Sequence, residues 1–289
     1  MQFIIHILNF ALIFSIIACG FRFFIKIKWN CDYSYIAIVI FSSYLCAILN
    51  TSFWIGMIGS FLLSLVWSIP FTLLVFYLSK RLNDFYFSMG TFALYILIYL
   101  LAYNLNGLTN WVYWIANVKR ILFWNILNMW IQGYLLIMLG VSIIAFWLLY
   151  LFKKSSLYKS FVWWWESELV TKSLWISSSK SKFLIICLSA LLATLAWSCY
   201  TFYYCYVAPW TFRISTLILI LSIVFLSYKY NEFGVIIISI IMLFLYEWLR
   251  FLKVVDPSKI WYLREMIFSL IIIIVVFITF KKINFWREE

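Results

Sequence analysis

The sequence predicts an all-α protein, a polytopic bundle of eight or nine transmembrane helices, and three observations carry that expectation. Of 289 residues, 67% are apolar and only 11% are charged, which is more hydrophobic surface than a water-soluble fold can hide. The apolar residues fall in long continuous runs rather than in alternation, so they read as helices and not as the strands of a barrel. Trp and Tyr collect at the ends of these runs, Trp29, Trp111, Trp114, Trp124 and Tyr228 among them, as expected of rings that sit at a membrane–water boundary.

A span needs about 20 apolar residues to cross a hydrocarbon layer roughly 30 Å thick, with its backbone polar groups bonded internally. Nine runs approach this: Phe3 to Phe21, Ser34 to Leu49, Phe53 to Leu78, Phe85 to Leu105, Trp124 to Phe152, Phe183 to Val207, Phe212 to Leu226, Phe233 to Leu249, and Met266 to Phe280. The second, seventh and last are short, which leaves eight as the alternative count. The opening MQFIIHILNF lacks a basic n-region and a small-residue cleavage site, so it is expected to be a span and not a removed signal. Residues 1–289 are expected to form a single membrane-embedded domain.

The net charge of +12 is distributed over short loops, with no clustered basic groove, so nucleic acid is not an expected partner. Placed on alternate sides of nine spans, fifteen basic residues fall on one side: Arg22, Lys26, Lys28, Lys80, Arg81, six between Lys153 and Lys182, Lys229, Lys281, Lys282 and Arg287. Seven fall on the other. An excess of Lys and Arg marks the cytoplasmic side, which puts the long loop and the C-terminus there.

No enzymatic constellation can be assembled. His6 is the only histidine, which excludes a His-based triad or metal cluster, and it is expected to hydrogen-bond a neighbouring helix. The six cysteines, Cys19, Cys31, Cys46, Cys187, Cys199 and Cys205, show no paired spacing and read as packed thiols. Glu247 and Arg250 are spaced to pair locally. Asn9, Ser15, Ser42, Ser43, Ser88 and Thr91 are candidates for helix–helix hydrogen bonds of about 1 kcal/mol each. There is no GxxxxGK[ST] loop, so ATP hydrolysis is not expected of this chain. No catalytic, cofactor or metal residues are assigned, and a membrane-embedded lipid transferase would lack its usual acidic or His pairs.

The longest polar interval is Lys153 to Lys182, KKSSLYKSFVWWWESELVTKSLWISSSKSK. Ser155 and Ser156 precede an amphipathic run with Phe161, Val162, Trp165, Leu169 and Val170 near i, i+4, i+8, which is helical spacing. Periodicity alone leaves two readings open: an interfacial helix in the headgroup plane, or a docking helix for a partner.

The order of residues adds a resemblance. Ser155, Leu157, Lys159 and Phe161, then Glu166 and Glu168, then Lys172, Leu174 and Ile176 resemble the cytoplasmic coupling loop of branched-chain amino acid ABC importer permeases of the M type. The segment Lys80 to Leu94, with Arg81, Leu82, Tyr86, Phe87, Thr91 and Ala93, is similar to that family's Arg-Leu-Arg-Gly turn and following helix. Leu108 and Thr109 match the start of its external loop. Ala193, Leu195, Ala196, Tyr200, Val207, Pro209 and Phe212 match the helix and Val-Ser-Pro loop after the coupling segment, and Glu247, Leu249 and Arg250 match the end.

The resemblance implies a permease subunit that forms part of a path for branched-chain amino acids or similar small polar solutes. It also implies partners: ATP-binding cassette ATPase subunits, a second homologous permease and a substrate-binding protein, all acting with a lipid bilayer. The ATPase would dock on Glu166, Glu168, Leu169, Lys172, Leu174, Trp175 and Ile176 of the 153–182 loop. The chain departs from the family in having only 8 glycines and 17 tryptophans. Trp111, Trp114, Tyr158, Trp175, Thr194 and Trp197 stand where glycine is expected, and Trp165 stands where Arg is. A bulky indole at a tight crossing would hold helices apart, so a drifted or scaffold subunit without transport is the alternative.

The charge bias makes one direct prediction. On intact cells, an impermeant thiol reagent should label Asn110→Cys and not Ser179→Cys, and labelling of Ser179→Cys would reverse the orientation.

Overall fold

The computed structural model describes residues 2–28, 33–104, 115–119, 130–166, 178–227, 230–249 and 260–285. Its helices are α1 (Gln2–Lys28), α2 (Ser34–Thr51), α3 (Met57–Arg81), α4 (Asp84–Asn104), α5 (Trp130–Lys154), α6 (Ser156–Glu166), α7 (Ser178–Tyr204), α8 (Ile214–Ser227), α9 (Glu232–Trp248) and α10 (Ile260–Phe285), with a 3-10 turn at Pro209–Phe212. Helices α1 to α5 and α7 are long and apolar enough to cross a membrane. The chain is therefore an all-α, multi-pass membrane bundle, with six candidate spans among the described residues where the sequence predicts eight or nine. The places of the last three expected spans are taken by α8, α9 and α10; α8 has 14 residues and α9 has 17, short of a full crossing.

α7 is the central helix. It packs against α1, α2 and α3, and touches α5 and α6, while α1 also meets α5, α8 and α9. The division into inner and outer helices is sharp. In the spans of α1, α2 and α7, 67%, 72% and 67% of residues are buried, against 22% in each of α3, α4 and α5. The outer three turn most of their apolar surface outward, as helices facing lipid do.

α3 shows how the inner side is made. Ser60, Ser64, Ser68, Thr72, Val75 and Ser79 are buried, while Leu62, Val66, Trp67, Leu73, Leu74 and Tyr77 are exposed. Small polar residues recur every four positions on the face toward α2 and α7. Each hydroxyl is satisfied within its own helix: Ser64 donates to Phe61 O, Ser68 to Leu65 O, Thr72 to Ile69 O and Ser79 to Phe76 O, all at 2.7 Å. Small side chains let backbones approach in a bilayer, and internal bonding removes the cost of burying their oxygens. Polar contacts also cross helices here: Ser64 Oγ meets Ser198 Oγ at 3.3 Å, and Ser60, Ser64 and Ser198 approach the Cys46 thiol on α2.

The hydroxyls expected to join helices behave in the same way. Ser15 donates to Leu12 O, Ser42 to Val39 O, and Ser43 to Val39 O and Ile40 O. These bonds lie within one helix because a Ser hydroxyl reaches the carbonyl one turn back more easily than a neighbouring helix. Thr91 does reach out, accepting the Tyr33 N–H at 3.3 Å while donating to Ser88 O.

Gly20 marks a tight approach of three helices. A Cβ there would lie 2.6 Å from Tyr35 Oη, 3.2 Å from Leu192 Cβ and 3.3 Å from Ser189 O, so α1, α2 and α7 meet at a point that has no room for a methyl group. Tyr35 Oη is held in place by donating to Ile17 O at 2.8 Å. Trp197, in contrast, is accommodated where glycine was expected. It is 1% exposed and lies among Phe14, Tyr200 and Phe212, with ring centroids 6.3, 4.5 and 5.1 Å away. Thr194 is buried and donates to Ala190 O at 2.8 Å. Trp111, Trp114 and Trp175 lie outside the described residues.

Gly20→Ala is expected to destabilise the bundle by about 1–3 kcal/mol through overpacking. Tyr35→Phe in the same chain should return part of that loss by removing the nearest atom. Thermal unfolding of the four-member cycle in detergent measures the coupling, and strictly additive losses would contradict the assigned contact.

Candidate functional site: the base of the 153–182 loop

α5 ends at Lys154 with two lysines in its last turn, where cations face the negative end of the helix dipole. Ser155 then separates two helices. Its N–H and Oγ both donate to Phe152 O, at 3.0 and 2.6 Å, and its Oγ accepts the Tyr158 N–H at 3.3 Å. A serine accepting the N–H three residues on is an N-cap. The local sequence thus stops one helix and starts the next within a single residue.

α6 runs from Ser156 to Glu166 and overlaps only the first part of the predicted amphipathic run. Tyr158 and Val162, one turn apart, pack on the core, with the Tyr158 ring 5.8 Å from that of Phe152. Leu157 and Lys159 face outward. α6 also packs against α7, so it lies across the end of the bundle between the helix that precedes it and the one that follows. Glu166 is the last residue of α6. The remaining predicted docking residues, Glu168, Leu169, Lys172, Leu174, Trp175 and Ile176, lie outside the described residues, as do Val170 and the side chains of Phe161 and Trp165.

Two polar ties join the base of this loop to the rest of the bundle, and sequence reading did not find them. Lys153 Nζ forms an ion pair with Glu232 at the start of α9. Arg22 donates from Nη2 to Tyr230 O at 2.9 Å, which links α1 to the entry of α9. The paired side chains of Lys153 and Glu232 are 35% and 28% exposed. Burial works against the ionised Glu232 carboxylate, but the hydrogen bond from Lys153, its own backbone N–H and the charges of Lys153 and Arg22 outweigh it and hold its pKa below the ordinary carboxylate value. A signal was present in the sequence: Glu232 is one of only ten acidic residues and stands at the head of an apolar run.

At the other end, His6 Nδ1 meets Tyr203 Oη at 2.6 Å, the neighbouring-helix bond expected of it. Its ring also lies among Phe10, Tyr203 and Tyr204. Cys19, Cys46, Cys187, Cys199 and Cys205 form no disulfide with one another, and Cys31 lies outside the described residues. Arg250, the expected partner of Glu247, also lies outside them. Among the described residues no group of three His, Cys, Asp or Glu could hold a metal ion.

Comparison with known proteins gives one family match and one similar structure. The family described as "Branched-chain amino acid transport system / permease component" matches residues 3–277, almost the whole chain. Among curated proteins none matches. The chain is similar to PsaBC from Streptococcus pneumoniae, solved in complex with a Fab, at 16% identity and a TM-score of 0.46, over 92% of this chain and 88% of that one.

The depressed Glu232 pKa fixes the sign of a pH effect. A carboxylate whose folded pKa is lowered contributes stability above its unfolded pKa and loses it as pH falls through the folded value. Glu232→Gln is therefore expected to cost about 0.5–1 kcal/mol at neutral pH for a pair exposed to this degree, and to flatten the acid side of the stability curve below the ordinary carboxylate range. An unchanged acid limb in detergent melts would mean that the pair is not formed.

Proposed function

The chain belongs to the branched-chain amino acid transport system permease family, and from that premise we propose that it is the membrane subunit of an ABC importer that forms part of a path for branched-chain amino acids or similar small polar solutes. It is a non-enzymatic component: the work comes from a separate ATPase, and this subunit transmits it. The observation that carries the reading is α6, a short capped helix that lies across the bundle end between α5 and α7, at the position where the sequence resembles a coupling loop.

In this reading α8, α9 and α10 are membrane elements as well, which brings the count to eight or nine. The 153–182 loop and the C-terminus lie in the cytoplasm of a bacterial inner membrane. ATPase subunits dock on Glu166, Glu168, Leu169, Lys172, Leu174, Trp175 and Ile176. A second homologous permease completes the path, and a substrate-binding protein delivers solute on the opposite side. Movement of α6 reaches α5 through Ser155 and α7 by direct packing. Through Lys153 to Glu232 it also reaches α9, whose entry is tied to α1 by Arg22.

Reversing charge with Glu168→Lys is expected to abolish co-purification of the ATPase while leaving the protein in the membrane. Lys153→Met, which spares the docking face, should keep the ATPase bound but lower solute uptake per ATP hydrolysed in proteoliposomes. Full co-purification with Glu168→Lys would favour an interfacial segment over a docking helix for the 153–182 loop. Intact assembly of the unsubstituted chain without uptake would favour a scaffold subunit.

A further inference from the structure

At the end of the bundle opposite α6, residues 115–119 cross the ends of α2 and α7 and are bonded to both. Ile115 and Val207 exchange backbone hydrogen bonds of 3.0 and 3.1 Å, and Val118 N–H donates to Cys205 O at 3.2 Å. Asn50, 3% exposed, accepts the Lys119 N–H at 2.7 Å and donates to Lys119 O at 3.4 Å and Ile55 O at 3.0 Å. The backbone of Lys119 is thus gripped at both its polar groups by one buried amide.

Backbone strain concentrates here. Among the described residues, the non-glycine positions with positive φ are Trp54, Asn117 and Cys205, at 55°, 64° and 59°, and each belongs to this clasp or its immediate contact. Such conformations persist only where the surroundings enforce them, and they gather at binding and switching sites. The result of the strain is specific. Trp54 is turned out, 73% exposed, and the Lys119 ammonium sits over its ring, 3.8 Å from the centroid. No acidic side chain among the described residues pairs with Lys119.

This cation stands at the head of an apolar strip. Phe53, Ile58, Leu62 and Val66 are 67%, 58%, 54% and 59% exposed; the last three recur every four residues down the outward face of α3, and so form one line along the helix. A membrane-facing apolar line that ends in a fixed ammonium and an indole matches the two parts of a phospholipid, with acyl chains below and an oxyanion above. Lysine is a compact point charge suited to phosphate.

We propose that Lys119 and Trp54, held by the Asn50 clasp, bind the headgroup phosphate of an anionic phospholipid whose chains lie along Ile58, Leu62 and Val66. The indole removes water from one side of the ammonium and leaves its remaining N–H donors free for the phosphate. The lipid would brace the outer end of α3 against the clasp.

The test counts lipids retained by the full chain in native mass spectrometry after detergent extraction from bilayers containing phosphatidylglycerol. The expected result is one phosphatidylglycerol fewer per chain for Lys119→Gln than for the unsubstituted protein, restored by Lys119→Arg and lowered by Trp54→Leu. Because Asn50 grips only the backbone of residue 119, Lys119→Gln leaves the clasp intact, and an unchanged melting temperature in lipid-free detergent confirms this. Equal phosphatidylglycerol retention by Lys119→Gln overturns the proposal and leaves the Lys119 to Trp54 contact as part of the clasp alone. Displacement of the lipid by excess soluble glycerol phosphate, or equal Lys119-dependent retention of phosphatidylcholine, also overturns it.

Discussion

The structure depends on how closely α7 can approach α1, α2 and α3. Lipid tails are as apolar as leucine, so burying leucine between helices gains little in a bilayer, and close contact of small groups has to supply the attraction. Here the small groups are mainly hydroxyls and not glycines. Ser60, Ser64, Ser68 and Thr72 line the inner face of α3, and Ser198 and Thr201 stand on α7, all of them buried. An oxygen costs far more to bury than a hydrogen atom unless it is bonded, and a serine in a helix carries its remedy with it in the carbonyl one turn back. The family's glycine habit can therefore be relaxed without loss of packing. Gly20 remains where three helices meet and even a methyl group does not fit.

What was legible in the sequence follows from this. Continuous apolar runs specify spans because the medium demands it, and the described helices fall close to the predicted runs. The start of α6 follows Ser155, while the predicted periodic residues Leu169 and Val170 lie outside the described residues. The inner face of α3 was not read, although Ser60, Ser64, Ser68 and Thr72 are as regular as any heptad: an apolar-in, polar-out template searches for the wrong sign in a lipid-facing helix. The Lys153 to Glu232 pair was hidden for a different reason. Its partners are separated by 79 positions, and a count of basic residues places Lys153 while leaving Glu232 out. The docking residues beyond Glu166 rest on the sequence resemblance.

Trp197 illustrates how a substitution pattern can mislead when size alone is weighed. An indole in place of glycine should force helices apart, and one at an exposed or polar site would. At this site Phe14, Tyr200 and Phe212 surround it at ring distances typical of favourable edge and offset contacts, so the extra volume is shared among planar groups that stack. The indole Nε1 has no hydrogen-bond partner among the described residues, and that is the cost of the arrangement. Aromatic enrichment of the chain therefore has a packing role at this position, whatever its origin.

The two ends of the bundle are built from different chemistry, and they differ in how firmly they hold the helices together. The clasp around Asn50 uses backbone hydrogen bonds and strained residues, which accept few alternative geometries. The base of the 153–182 loop uses a half-exposed ion pair and one arginine-to-carbonyl bond. A pair open to water gains little net stability and so loses little when it is stretched or exchanged. Stiff bonding thus stands at one end of the bundle and charge contacts open to water at the other, with the hydroxyl-lined faces between them.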